Sequence, residues 1–169
     1  MEAPAGEVAD FVLNQCDVEL VAEGQGLPTH SLWIARESEV LYQCISATLI
    51  TANTAGSLPR IPLGENLATV KALLRCIYAR EQKEHLQQLL HADGQVFRAL
   101  IRAAHKYNMA RLVQSCYTVL EAAGIAVCQD AASAVDWALL ASDMGSPFSS
   151  TLERFESHLA DCCTDPAEA

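Results

Sequence analysis

The chain has 169 residues, 51% of them apolar, and a formal net charge of −10 at pH 7. That is enough apolar surface for one domain of ordinary size and excludes disorder throughout, while the surplus of carboxylates repels a phosphate backbone and argues against nucleic acid as a partner. No run reaches the roughly 18 to 20 apolar residues that span a bilayer, and the start MEAPAGEVAD lacks the basic and apolar regions of a signal peptide, so no membrane is expected and a cytoplasmic or nuclear home is.

Residues 1–9 read as a loose N-terminus. Val8, Phe11 and Val12 share one face at helical spacing on a segment too short to be stable alone, so it has to pack on its own core or on a second subunit. From Asp17 the pattern changes. Val18, Leu20 and Ala22 alternate with Glu19, Val21 and Glu23, and Gly24 and Gly26 then interrupt the run, which is how a short hairpin reads. Thr29 is placed to cap a helix over His30 to Arg36, and Ser38 to cap the next, where Glu39 suits the positive helix end and Val40, Leu41, Cys44 and Ile45 recur at helical spacing.

Residues 46–60 are small and polar, with Gly56 and Pro59 marking a loop. Arg60 to Leu63 reads as a brief strand, which Pro62 confines to an edge because it has no amide to donate. Leu67, Val70, Leu73, Leu74, Ile77 and Tyr78 then predict a helix. The stretch from Glu81 to Gln95 is rich in polar helix formers, with Leu86, Leu89 and Leu90 as its apolar residues; His85 and His91 lie six apart, share no helical face and read as solvated. Phe97, Leu100, Ile101 and Ala104 predict a helix over Val96 to Lys106 with Asn108 at a left-handed exit. Leu112, Val113, Cys116, Val119 and Leu120 predict another, ended by Gly124. In the tail, Ala134, Val135, Ala138 and Leu139 form one apolar face, Met144 to Pro147 a break, and Leu152, Phe155 and Leu159 a second face. Trp137 lies off the first of these, either as a covered flank or as an exposed anchor for a partner.

Seven cysteines, Cys16, Cys44, Cys76, Cys116, Cys128, Cys162 and Cys163, fall at no metal spacing and read mostly as reduced core residues, with Cys162 and Cys163 set apart near a polar end. A phosphate loop, HExxH, GxSxG and paired CxxC motifs are all missing, and His105 with Cys116 implies packing in a helix hairpin, so neither an enzyme nor a metal or cofactor is expected.

The stretch DVELVAEGQGLPTHSLWIARESEVLYQCI resembles the opening of a BTB/POZ domain: an aspartate opening a strand, a hairpin, a histidine at a helix start and a serine at the next, supplied by Asp17, His30 and Ser38. Ser31 and Glu39 depart from it, standing where a basic residue and a proline are common. VFRALIRAAHKYNMARLVQSCYTVLEAAG resembles the family's closing helix pair through Ala103, Ala104, Lys106, Tyr107, Leu112 and Cys116, and the tail is similar to the helix pair called the three-box, or the start of a BACK domain, in ubiquitin-ligase adaptors. The implied fold is α+β and mainly helical: a BTB-like helix cluster with a small sheet over 10–124, a three-box or BACK-like helical hairpin over 125–162, and a disordered tail over 163–169.

The resemblance further implies a homodimer through Val8, Phe11, Val12, Leu32 and Trp33. It implies a cullin scaffold touching Leu49, Ile50, Tyr107, Asn108 and Met109, so that an adaptor presents a client protein to a ubiquitin ligase. Cullin binders of the family often carry a hydrophobic residue followed two places on by a glutamate; after Leu49 and Ile50 no acidic residue comes before Glu65. The alternative is a BTB-type assembly protein without ubiquitin chemistry.

Overall fold

In the computed structural model the described residues are 16–51, 58–79, 81–128, 131–145 and 148–164, with backbone alone for 50, 51, 131 and 161–164. Val8, Phe11 and Val12 lie outside them, as do the side chains of Ile50, Cys162 and Cys163.

The alternation after Asp17 becomes β1 (Val18–Ala22), which pairs antiparallel with β2 (Gln25–Thr29) in the register Ala22↔Gln25. Glu23 and Gly24 both have positive φ, 49° and 80°, the mirror-image turn whose twist matches a two-residue hairpin. A third strand, β3 (Arg60–Pro62), runs parallel to β1, giving the order β2-β1-β3 and leaving Pro62 on an edge as its missing amide requires. Val18, Leu20, Ala22 and Ile61 are buried on the helical side of this sheet, each large one worth roughly 1.5 to 3 kcal/mol of transfer free energy.

The helices follow as α1 (Ser31–Glu37), α2 (Glu39–Thr51), α3 (Leu67–Tyr78), α4 (Gln82–Ala92), α5 (Gly94–Lys106), α6 (Ala110–Ala123), a 3-10 turn at Gly124–Val127, α7 (Ala131–Met144) and α8 (Ser149–Thr164). The fold is therefore mainly helical with a small three-stranded sheet, and α8 runs past the expected end at residue 162. Asn108 leaves α5 at φ 53°, the left-handed exit its residue type favours, and Gly124 ends α6 at φ 57° and ψ −145°, a backbone conformation open to glycine. The polar stretch after α3 is the helix α4, held by Leu86 and Leu90 against α5 and α6. Phe97, Leu100, Ile101, Leu112 and Cys116 sit at the centre of one core.

Four expectations are corrected. Thr29 does not cap α1: its hydroxyl bonds Tyr78 Oη at 2.6 Å, and the carboxylate of Asp17 takes the open amide of Ser31 instead. Cys44 is exposed, whereas Cys76 and Cys116 are buried. Burial pushes the Cys76 thiol up to about 12 and the Cys116 thiol higher still, so neither is a ready nucleophile. His85 is half-buried, with Nε2 enclosed and lacking a hydrogen-bond partner among the described residues. Burial first, then the charge of Arg75, holds it below the usual histidine value of 6.5.

The fourth correction concerns α7, which buries Ala134, Trp137, Ala138, Leu140 and Ala141 and leaves Val135 and Leu139 exposed. Trp137 is 1% exposed, tilted against Phe97 at 6.1 Å and stacked on Phe155 at 6.3 Å, under the guanidinium of Arg98 at 4.9 Å. An indole buries more area than valine or leucine, so docking α7 through Trp137 rotates the smaller pair outward.

Candidate interaction surface

The first surface is built on α1. Asp17, just ahead of β1, reaches across the hairpin so that Oδ1 accepts from Ser31 N at 2.7 Å and Oδ2 from Ser31 Oγ at 2.5 Å, satisfying an orphan amide at the helix start. From the end of α3, Tyr78 Oη accepts from His30 N at 2.9 Å and lies 2.9 Å from His30 Nδ1. The start of α1 is thus clamped from both sides. Its outer face carries Leu32, 78% exposed, and Trp33, whose ring lies 5.7 Å from that of Tyr78 with Arg36 stacked 4.5 Å above it. The cation over the indole contributes about 0.5 to 1 kcal/mol at such an exposed site. Leu32, Trp33 and Tyr78 form one apolar and aromatic platform. Sequence spacing assigns Tyr78 to the buried stripe of α3, and only its position at the last turn brings it to the surface beside α1.

The second surface surrounds the corner between α5 and α6. Ser38 Oγ donates to Tyr107 O at 2.6 Å and accepts from Leu41 N at 3.0 Å, so one hydroxyl caps α2 and ties it to the corner. The Tyr107 hydroxyl donates to Glu65 Oε2, and Lys106 Nζ donates to Glu65 Oε1 at 2.6 Å. Burial pushes the Glu65 carboxyl upward, but the two hydrogen bonds and the Lys106 charge outweigh it and hold the group below its usual 4.5. Burial, then the Glu65 carboxylate, pushes the Tyr107 phenol up.

Tyr107 and Met109 are buried and only Asn108 of the corner is exposed. Beside it Ala104, His105, Met109, Val113 and Gln114 line an open hollow of about 480 Å³. Leu49, near the other end of α2, is 50% exposed, and Val40 and Tyr42 of the same helix are partly open to solvent. Among the described residues no group of three or more His, Cys, Asp or Glu side chains is placed to hold a metal ion, and no helix is long and apolar enough to cross a membrane.

The model of the BTB/POZ domain family matches residues 10–123. The chain belongs to the BTB/POZ family. No curated protein matches it. A BTB domain is a protein-interaction fold, and the platform on α1 and the exposed side chains of α2 are surfaces suited to that work. The match ends at the last residue of α6, so α7 and α8 follow the BTB domain as an addition to it.

Proposed function

We propose that this BTB protein is a dimeric adaptor of the cytoplasm or nucleus that brings client proteins to a cullin-RING ubiquitin ligase. The observation that supports the reading is the helix hairpin α7–α8, which docks Trp137 on Phe97 of the BTB core; in this reading the hairpin serves as the three-box or BACK-like pair of such adaptors. In this reading the platform of Leu32 and Trp33, with Val8, Phe11 and Val12, receives the second subunit. The scaffold meets Leu49, Ile50 and the corner, where Asn108 and the hollow make contact while Tyr107 and Met109 hold the shape from within.

A second reading, an assembly protein without ubiquitin chemistry, has its own support. The acidic residue that follows Leu49 and Ile50 in the chain is Glu65, and its carboxylate is engaged by Lys106 and Tyr107 rather than offered outward. Calorimetry of the purified chain against a cullin N-terminal fragment separates the two. Binding weakened by Leu49→Asp supports the adaptor; no heat at tens of micromolar rules it out and leaves the assembly role.

A further inference from the structure

One carboxylate on α6 gathers three side chains of α8. Glu121 Oε1 accepts from Thr151 Oγ1 at 2.6 Å and from Ser150 Oγ at 3.1 Å, and Oε2 pairs with Arg154 Nη1 at 3.1 Å. The Ser150 hydroxyl has a single proton, which goes to Glu121, so the phenol of Tyr117, 3.2 Å away on α6, donates to the same serine oxygen. Thr151 is buried, whereas Ser150 and Arg154 are exposed. The tie between the two helices is therefore closed from within by a threonine and from the solvent side by a serine.

The chain around that serine has a charge pattern of its own. Glu153 lies three places on and Glu156 six places on, and both are exposed. A kinase whose substrate cleft is basic gains from such carboxylates at fixed distances after the acceptor hydroxyl. The neighbouring Ser149 has Leu152 at the third place, and the Thr151 hydroxyl is shut away from solvent. Ser150 is the second residue of α8, so presenting it to a cleft opens only the terminal turn, the part of a helix that opens at least cost.

We propose that Ser150 is a phosphorylation site for an acid-directed serine kinase, and that its phosphate loosens α8 from α6 by taking Arg154 away from Glu121. In the transfer Ser150 Oγ attacks the γ-phosphorus of ATP, the bond from that phosphorus to the β,γ-bridging oxygen breaks, and ADP leaves with the electron pair; the hydroxyl proton passes to a carboxylate of the kinase. The product carries a charge of about −1.5 to −2 at pH 7. Arg154 stands four residues on, the spacing at which side chains on one helix meet, and the phosphate outbids a single carboxylate for it. Glu121 then loses the serine proton and the guanidinium together and faces a second anion. Its side chain is only 21% exposed, so water screens that repulsion poorly. Phe148 and Phe155 stay buried in the hairpin, which loosens along its α6 side without leaving the core.

The test incubates the full chain with a purified acid-directed serine kinase and ATP, locates the phosphate by mass spectrometry and follows amide exchange. Phosphate is expected on Ser150, and Ser150→Ala is expected to lose it. The phosphorylated chain is expected to exchange the amides of α8 several-fold faster than the unmodified chain, with those of α5 unchanged. Glu121→Gln keeps the shape and hydrogen-bonding capacity of the side chain but not its charge, so phosphorylating that variant is expected to bring no such increase over its own unmodified form. Absence of phosphate from Ser150 overturns the site. A phosphorylated chain whose α8 exchanges at the unmodified rate overturns the loosening, and an equal increase in Glu121→Gln overturns the part assigned to the carboxylate.

Discussion

Ser38 shows how much of this fold hangs on single polar atoms. Its hydroxyl serves the first turn of α2 and the otherwise distant carbonyl of Tyr107 at once. Ser38→Ala removes a cap worth about 1 kcal/mol and strands a buried carbonyl at a further 1 to 3 kcal/mol, so a loss of roughly 2 to 4 kcal/mol in urea unfolding is expected. Glu65 makes a pH prediction of definite sign. Its folded pKa lies below 4.5, so as the pH falls from there through the folded value the unfolded chain takes up a proton that the folded chain refuses, and stability drains away. Glu65→Gln is expected to flatten this acid limb of the urea midpoint. His85 acts in a higher window with the same direction: the folded pKa is below 6.5, so its stabilising share is complete above that value and declines as the pH falls below it. The cap at Ser38 was legible from residue type and spacing. Asp17 reaching Ser31, Glu65 meeting Tyr107 and the enclosure of His85 were not, because each joins segments that only tertiary folding brings together.

Elements were most legible where one apolar face dominates. Helices α3, α5 and α6 follow from their periodicity, and the hairpin from its alternation and its Gly24. Helix α7 was harder because it is apolar nearly all round, and such a helix has more than one face that spacing alone could bury. The choice fell to the indole, whose area and ring contacts with Phe97 and Phe155 outweigh those of Val135 and Leu139. Two truncations measure that difference. Trp137→Ala is expected to cost about 3 to 5 kcal/mol and to raise amide exchange in α7 and α8 well before α5 and α6, since the hairpin loses its main anchor. Leu139→Ala, at an exposed position, is expected to stay within about 0.5 kcal/mol of wild type. Equal costs for the two would mean that α7 docks by its other face.

For the whole molecule the net charge sets the sign of its salt response. Two copies, each at −10, repel one another as they approach, so an apolar contact through Leu32 and Trp33 has to overcome a long-range penalty. Raising ionic strength to about 0.15 M shortens the screening length to about 8 Å and removes most of that penalty. Self-association is therefore expected to strengthen with salt, read as a rising mass in light scattering, and Leu32→Asp to abolish the response by placing a carboxylate at the contact. Binding of a partner through a basic face has the opposite slope, because the same screening removes an attraction. Following both reactions through one salt series thus separates a surface that recognises its own kind from one that recognises a basic partner. A dimer that weakens as salt is added would show that its contact is held by ion pairs rather than by the platform on α1.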